Sequence, residues 1–199
     1  MASVIQIANR ALTKLGAARI ISLNDDVKAA RSILSCFDDL RDDELRRNRW
    51  SFALKRTTLA ALSTAPAFGY SYQYQLPADC LKIDMIDDRF PTAVMDNYIS
   101  AEYVDWVLEN GLILTDIAAP LSIRYLAQIT DPTLFDPSFR EALACRIAVE
   151  ICEDLTQSVP KREMAWKEYE RAIKAATKGN AIERLPMMPP DNTWIISRI

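Results

Sequence analysis

The spacing of apolar residues changes twice along this 199-residue chain, and the change limits the folds that it can adopt. Up to about Phe52, apolar side chains recur every three or four positions, which indicates helices with one buried face. From there to Ile129 they alternate with polar residues, which is typical of half-buried strands. After Asp136 the helical spacing returns. The pattern predicts an α+β protein, mainly α, in which an antiparallel helical bundle carries an inserted small antiparallel β region.

The same change of pattern divides the chain into three parts. Residues 1–60 and 130–183 are expected to form the helical bundle, and residues 61–129 are expected to form the β insertion. Residues 184–199 are expected to be an extended C-terminal docking arm. A chain of 199 residues is long enough for one domain that carries such an insertion.

Residues that favour helix ends place the first two helices. The first is predicted from about Ser3 to Leu15, with Gly16 as its C-terminal stop. The second is predicted to begin after residues 22–26, where asparagine and aspartate side chains can cap the free amides.

Similar signals place two further helices. Asp136-Pro137 combines a good N-cap with a good first helical residue, so a third helix should begin there. Residues 158–160 should separate it from a fourth helix, which is predicted to stop at Gly179-Asn180. Helices joined by so short a turn are expected to lie antiparallel.

Alternating residues and turn signals predict the strands. Alternation is clear at residues 70–76, 81–85 and 121–125. Asn110-Gly111 lies between two apolar stretches and is the strongest hairpin signal in the chain.

The absence of histidine excludes several kinds of enzyme. It removes the commonest general base and metal ligand, and with them serine–histidine and cysteine–histidine nucleophile systems. The four glycines are scattered singly, so no phosphate-binding glycine loop is present. The cysteines form no CxxC pair and are expected to be small buried apolar residues, with Cys145 and Cys152 facing one core.

Groups of carboxylates are expected to be solvated rather than to bind metal. Consecutive acids on a helix point in different directions, and the acids predicted in strands and turns have no ligand loop around them. The residues concerned are Asp38, Asp39, Asp42, Asp43 and Glu44 on the second helix, and Asp79, Asp84, Asp87 and Asp88 in the β region. We expect no catalytic residues, no metal and no cofactor.

Charge and hydropathy restrict the partners. Residues 61–137 contain three basic and eleven acidic residues, a net charge of −8, although the whole chain carries only −3. An acidic middle argues against a conventional nucleic-acid binder, whose basic surface must displace counterions from phosphates. No apolar run approaches the ~20 residues that span a bilayer, and the start of the chain lacks the layout of a signal peptide. We expect synthesis in a cytosol and no membrane partner.

One dense basic–aromatic cluster lies near the end of the second predicted helix, in the order Arg46-Arg47-Asn48-Arg49-Trp50. Cations are favourable at a helix C-terminus, and the tryptophan is expected to anchor that end in the core. Alternatively, Arg46, Arg47 and Arg49 are candidate contacts with DNA or with an acidic neighbouring subunit.

The segment Leu185–Ile199 combines prolines with apolar residues. Three prolines in five residues forbid a helix and favour an extended path, yet the segment is too apolar for an ordinary disordered tail. It is expected either to fold back across its own domain or to dock on a neighbouring subunit or another protein. The candidate docking residues are Met187, Met188, Trp194, Ile195, Ile196 and Arg198.

Five motifs in order along the chain resemble those of the head-to-tail adaptor proteins of tailed bacteriophages, often called tail tubular protein A. They are the segments 11–16 with 21–31, 45–53, 74–81, 135–146 and the terminal Trp194. The resemblance covers nearly the whole chain. It departs from the family where a histidine–proline pair commonly precedes the tryptophan, because this chain has Asn48-Arg49 there.

The resemblance implies a structural virion protein that is not an enzyme. Members of the family form a ring of about twelve copies, a closed homo-oligomer, below the portal protein at the head–tail junction. The ring extends the DNA channel, helps to retain packaged DNA and docks the next tail or nozzle protein. Double-stranded DNA passes through the lumen without sequence-specific binding, and assembly takes place in the host cytoplasm.

An acidic bias suits such a conduit, because a strongly basic lumen would trap the phosphates of sliding DNA. The acids of the β insertion are therefore expected to face the lumen or the tail side rather than the interior of the subunit.

Two other classes of function compete with the adaptor. A small helical DNA-binding regulator would use the Arg46–Arg49 cluster and would bind duplex DNA in a salt-sensitive way. A carboxylate-dependent hydrolase would need a cleft that brings together acids from the stretch 79–88.

Overall fold

The first helix begins and ends where the sequence predicts. In the computed structural model, which describes residues 3–87 and 106–183, helix α1 spans Val4–Leu15. The Ser3 hydroxyl accepts a hydrogen bond from the Gln6 amide at 3.2 Å, which satisfies one of the free donors of the first turn. Gly16 has a φ of 69° and ends the helix, because a left-handed residue stops it at little cost when no side chain is present.

Helix α2 spans Lys28–Arg47, and its predicted cap is wrong. Its N-cap residue is Val27, which makes no side-chain capping bond. The Asp25 carboxylate instead accepts hydrogen bonds from the Ile21 and Ser22 amides, at 2.8 and 3.0 Å. The acid that could cap the helix stabilises the preceding turn, so sequence spacing alone could not decide between the two uses.

Two long helices close the described chain, and they lie antiparallel. Helix α3 spans Pro137–Thr156 and begins at the predicted Asp136 cap, and helix α4 spans Val159–Ile182. Near the turn that joins them, Glu153 pairs with Arg162 at 2.6 Å. Farther from the turn, the Arg146 guanidinium lies 5.9 Å from the centre of the Tyr169 ring.

The predicted stop at Gly179-Asn180 is wrong, because α4 continues through both residues. A glycine inside a helix costs only about 1 kcal/mol relative to alanine, which tertiary contacts can offset. The Asn180 side chain supplies such contacts, as it bonds to the segment that follows α2.

Six described strands form two three-stranded antiparallel sheets. One sheet has the order β1 (Leu54–Leu59), β6 (Leu121–Ala127), β3 (Cys80–Ile86), and the other has β2 (Tyr72–Gln75), β5 (Leu112–Thr115), β4 (Trp106–Glu109). The hairpin between β4 and β5 is confirmed at Asn110-Gly111. Both turn residues have positive φ, 48° and 75°, as a two-residue type I′ turn requires.

Strand β1 has no counterpart among the predicted strands. It pairs with β6 from Leu54 opposite Leu126 to Leu59 opposite Leu121, so strand structure begins before residue 61. Its four central residues are polar or charged, which suits an edge strand but obscures the alternation that sequence analysis relies on.

Helix α3 is the centre of the core. Helices α1, α2 and α4 all contact it, and α2 also contacts β3 and β6. Cys145 and Cys152 are both buried on α3, as predicted. The buried residues of helices and strands form one continuous cluster. The described chain is therefore a mixed helix-and-sheet protein with four α-helices, and about half of it is helical.

None of the helices within the described ranges combines the length and the apolar character needed to cross a bilayer.

Candidate functional site

The three arginines of the basic cluster all contact their own chain. Arg46, just before the end of α2, donates a hydrogen bond to the carbonyl of Leu81 in β3. Arg47 pairs with Asp43, one helical turn earlier on α2, at 2.8 Å. Arg49 pairs with Asp84 through contacts as short as 2.6 Å. Arg46 and Arg49 therefore fasten the end of α2 to strand β3, whereas Arg47 pairs within α2.

Asp84 corrects the expectation for the acids of the β region. Its side chain is only 9% exposed and lies between the guanidinium groups of Arg49 and Arg124. Burying a carboxylate is unfavourable unless it is paired and hydrogen-bonded, and here two arginines supply that pairing. The prediction that these acids face out of the subunit is wrong for Asp84.

The other acids of this stretch have different surroundings. Asp79 is half-buried, accepts hydrogen bonds from Lys55 at 2.7 Å and from the Tyr125 hydroxyl at 3.0 Å, and so links three strands or their ends. The hydrogen bond from Lys55 is the main reason that the pKa of Asp79 is lowered. Asp87 is exposed, and Asp88 lies outside the described residues.

Trp50 anchors the end of α2 in the core, as predicted. It is fully buried, and its indole N–H donates to the Glu44 carbonyl at 2.9 Å. Its ring meets Phe139 of α3 edge-on, with centroids 4.9 Å apart, a favourable aromatic geometry. This contact joins the segment after α2 to the start of α3.

Asn180 holds the same segment from the other side. Its amide nitrogen donates to the Arg49 carbonyl at 2.8 Å. Its side-chain oxygen accepts from both the amide and the hydroxyl of Ser51, at 2.9 and 2.8 Å. This role is not evident from the sequence, because an asparagine after a glycine resembles a helix stop and only the tertiary contact reveals its partner.

Glu44 also lies in surroundings other than those predicted from the sequence. It was expected on a solvated face, yet it is fully buried where α2, α3 and α4 meet. Its carboxylate accepts from the Tyr169 hydroxyl at 2.6 Å, and the guanidinium groups of Arg47 and Arg146 lie 3.8 and 3.7 Å away. Its position four residues after Leu40 and next to Leu45, on the buried stripe of α2, was the available signal.

Burial is the largest influence on the pKa of the Glu44 carboxyl. It raises the pKa of the Glu44 carboxyl, against the opposing effects of Tyr169, Arg47 and Arg146. Burial, together with the hydrogen bond to Glu44, also raises the pKa of Tyr169 to about 12. The hydroxyl therefore stays protonated at neutral pH and can donate to the carboxylate.

One group of side chains has the ligand atoms of a metal site, but a lysine already contacts two of them. Oxygens of Glu141 and Glu168 and the sulfur of Cys145 lie within 4.8 Å of one another. The Lys14 ammonium contacts both carboxylates, at 2.8 Å from Glu141. Burial disfavours this charge, but the two carboxylates outweigh burial, so the pKa of Lys14 is raised. The lysine therefore supplies the positive charge that these acids need.

The predicted docking residues of the arm, Met187, Met188, Trp194, Ile195, Ile196 and Arg198, lie outside the described residues. Their role stays a prediction.

No protein-family model matches this chain, and no curated protein matches it. The resemblance to the adaptor family accordingly rests on the sequence motifs alone and stays a prediction.

Proposed function

We propose that this chain is a head-to-tail adaptor of a tailed bacteriophage. In this proposal about twelve copies form a closed ring below the portal, at the head–tail junction of the virion. The ring extends the DNA channel, helps to retain packaged DNA and docks the downstream tail or nozzle protein. Each subunit uses its helices and the β insertion packed on them as the frame, and residues 184–199 as a docking arm.

The observation that carries the proposal is the contact between Trp50 and Phe139. Trp50 belongs to the motif at residues 45–53, and Phe139 belongs to the motif at residues 135–146. Their rings pack against each other in the core. Two of the motifs that carry the resemblance therefore pack against each other in the core of the subunit. This is expected if the resemblance reflects a shared architecture.

Residues of a third motif also make contacts that stabilise the subunit. In the motif at residues 74–81, Tyr74 is fully buried and its hydroxyl donates to the Ile117 carbonyl at 2.6 Å. Asp79, in the same motif, ties Lys55 of β1 to Tyr125 of β6. The motif residues hold the subunit together, which favours a structural role over a catalytic one.

Several of the side chains that the competing functions require already contact other residues of the subunit. A hydrolase would use acids from the stretch 79–88, but Asp79 and Asp84 are paired with cations. A DNA-binding regulator would use Arg46, Arg47 and Arg49, and each of these contacts its own chain. Use of any of these five side chains by a hydrolase or a regulator would require an existing contact to break first.

Electron microscopy tests the proposal directly. The purified chain is imaged alone and after mixing with the portal protein of the phage that carries its gene. A ring, formed alone or only on the portal, is the expected result. A chain that stays monomeric and never associates with the portal would contradict the adaptor function.

A salt titration with duplex DNA tests the regulator as the alternative. Fluorescence anisotropy of a labelled duplex is measured with the wild-type chain and with a chain in which Arg46 and Arg47 are changed to alanine. For an adaptor we expect weak binding that the two substitutions hardly change. Tight binding that falls steeply with salt and depends on both arginines would favour the regulator.

A further inference from the structure

A positively charged groove runs along the outer face of α1 to the start of α3. Residues 1–24 contain three cations and no acid, so the charge of this face is set by the sequence. Two adjoining depressions of about 580 and 360 Å³ share Gln6 and Arg10 and so form one groove. We call it the α1 groove and define it by Gln6, Arg10, Lys14, Arg19, Arg140 and Glu141; its other lining residues are uncharged.

The side chain of Asn9 places Arg19 at the groove. Its amide nitrogen donates to the Ile20 carbonyl and its oxygen accepts from the Ile20 amide, both at 2.8 Å. Because Asn9 precedes Arg10 and Ile20 follows Arg19, these two hydrogen bonds bring the two arginines to one surface. The segment after α1 is therefore held against the helix, and the groove is part of the fold.

The α1 groove has more cations than its carboxylate can neutralise. Its cations are Arg10, Lys14, Arg19 and Arg140. With Glu141 as the one lining carboxylate, four cations leave a net charge of +3. Glu141 pairs with both Arg10 and Lys14. Glu168, which contacts Lys14 from outside the groove, lowers the sum only to +2. The groove therefore attracts anions.

Two of these cations are free to bind a ligand. The side chains of Arg19 and Arg140 make no hydrogen bond or ion pair with any residue in the ranges 3–87 and 106–183. Arg19 is exposed and Arg140 is half-buried. They differ in this respect from Arg46, Arg47 and Arg49, which all contact their own chain. An anion can bind both guanidinium groups without breaking an existing contact.

The lining of the groove suits phosphate groups better than it suits a protein surface. Protein–protein interfaces usually centre on apolar and aromatic side chains. The groove has no aromatic residue, and its one large aliphatic side chain, Ile7, is only 3% exposed. Protein–DNA interfaces are polar and positively charged, and guanidinium groups match the geometry of phosphate oxygens.

We infer that the α1 groove contacts the phosphate backbone of the packaged double-stranded DNA. The inference rests on the proposed ring, and it places α1 on the channel side of each subunit. Contacts to phosphates do not depend on sequence, and they let DNA slide because counterions replace each contact that is lost. The whole chain carries a net charge of −3, so the attraction stays weak. A few free arginines in each subunit can therefore help to retain DNA without fixing it in place.

A pair of substitutions tests this contact in the full-length chain. The groove variant carries Arg19→Ala and Arg140→Ala. The matched control carries Arg171→Ala and Lys174→Ala, which remove the same two charges from exposed positions on α4 outside the groove. Fluorescence anisotropy measures the binding of two labelled duplexes of unrelated sequence over a series of salt concentrations.

We expect the wild type to bind both duplexes equally at low salt. The groove variant should bind at least about tenfold more weakly, and the slope of log K against log salt should fall by about 2, because two phosphate contacts are lost. Each single substitution should lower the slope by about 1. The control should bind like the wild type. All variants should keep the helix content of the wild type by circular dichroism, because the side chains that are replaced make no contact with the described chain.

Four results would overturn the inference. They are a wild type that does not bind duplex DNA at low salt, a groove variant that binds like the wild type, a control that is weakened as much as the groove variant, and a tenfold or larger preference for one of the two sequences. The last would mean that bases are read rather than phosphates.

Assembly separates this inference from the adaptor function. Sedimentation velocity and portal binding are measured with the same variants, and the groove variant should assemble like the wild type. If it loses assembly and keeps its DNA affinity, the groove binds a neighbouring subunit, and the inference is wrong while the adaptor function stands. A chain that binds DNA through Arg19 and Arg140 but never associates with the portal would contradict the adaptor function and leave the phosphate contact in place.

Discussion

Tyr169 on α4 donates its hydroxyl hydrogen to Glu44 on α2 across 2.6 Å. Both residues are buried, and the Arg146 guanidinium from α3 lies near the carboxylate and over the phenol ring. Three helices therefore share one polar contact inside a mainly apolar core. Because an unpaired buried group is costly, this contact should favour one arrangement of the helices over alternatives.

Changing Tyr169 to phenylalanine should lower the free energy of unfolding by about 1–3 kcal/mol, because it leaves the Glu44 carboxylate with one hydrogen bond fewer in a buried place. Urea unfolding followed by circular dichroism measures the change. Tyr72→Phe is the control, since Tyr72 is partly exposed at the edge of a sheet. Equal stability of the Tyr169→Phe variant and the wild type would show that the hydroxyl contributes nothing to folding.

Ionisation of Glu44 should make the free energy of unfolding depend on pH. Because burial raises the pKa of Glu44 above its ordinary 4.5, the folded chain binds this proton more tightly than the unfolded chain. The stability contributed by this group is therefore greatest below that value and falls as the pH rises through the pKa of the folded state. Relative to a Glu44→Gln variant, the wild type should lose stability on going upward from about pH 4.5.

Asp79 supplies a control of opposite sign for that experiment. Its pKa is lowered below the ordinary 3.8, mainly by the hydrogen bond from Lys55. Relative to an Asp79→Asn variant, the wild type should gain stability as the pH rises through the lowered pKa toward that value. Unfolding by urea across an acidic pH series measures both differences, and the same slope in both comparisons would contradict the two assignments.

Local signals in the sequence predicted elements whose determinants lie close together along the chain. The α1 stop at Gly16, the Asp136 cap and the Asn110-Gly111 hairpin each depend on a few adjacent residues, and each is present. Strand β1 was not predicted, because its polar residues hide the alternation and its stability comes from pairing with β6 far along the chain.

The contacts of the arginine cluster and of Glu44 were harder to predict from the sequence than the caps and turns. Sequence analysis grouped Arg46, Arg47 and Arg49 by proximity in the chain, and the structure gives them different partners, Leu81, Asp43 and Asp84. Glu44 and Tyr169 are 125 residues apart, so no local pattern could pair them. Side chains that act across the core depend on the fold as a whole, whereas the caps and turns that were predicted correctly depend on adjacent residues.

Changing Asn180 to alanine should loosen the segment between α2 and β1. The variant loses the hydrogen bonds to Arg49 and Ser51, and we expect a loss of about 1–2 kcal/mol in the free energy of unfolding. Alanine also favours the helix more than asparagine does, which partly offsets the loss. Hydrogen exchange at the Ser51 amide should become faster, whereas Lys178→Ala, an exposed change on the same helix, should leave it unchanged. Unaltered exchange in both variants would argue that Asn180 does not hold this segment.

Deleting Met187–Ile199 separates the two roles expected for the arm. The described helices and sheets form a continuous core without these residues, so we expect the shortened chain to fold with the helix content of the wild type by circular dichroism. Attachment to neighbouring subunits or to the portal should be lost, because the apolar side chains that supply that contact are gone. A Ser197→Ala variant, which keeps every apolar residue of the arm, should assemble like the wild type. If the shortened chain instead fails to fold, the arm belongs to the core of its own subunit, and the docking role must be abandoned.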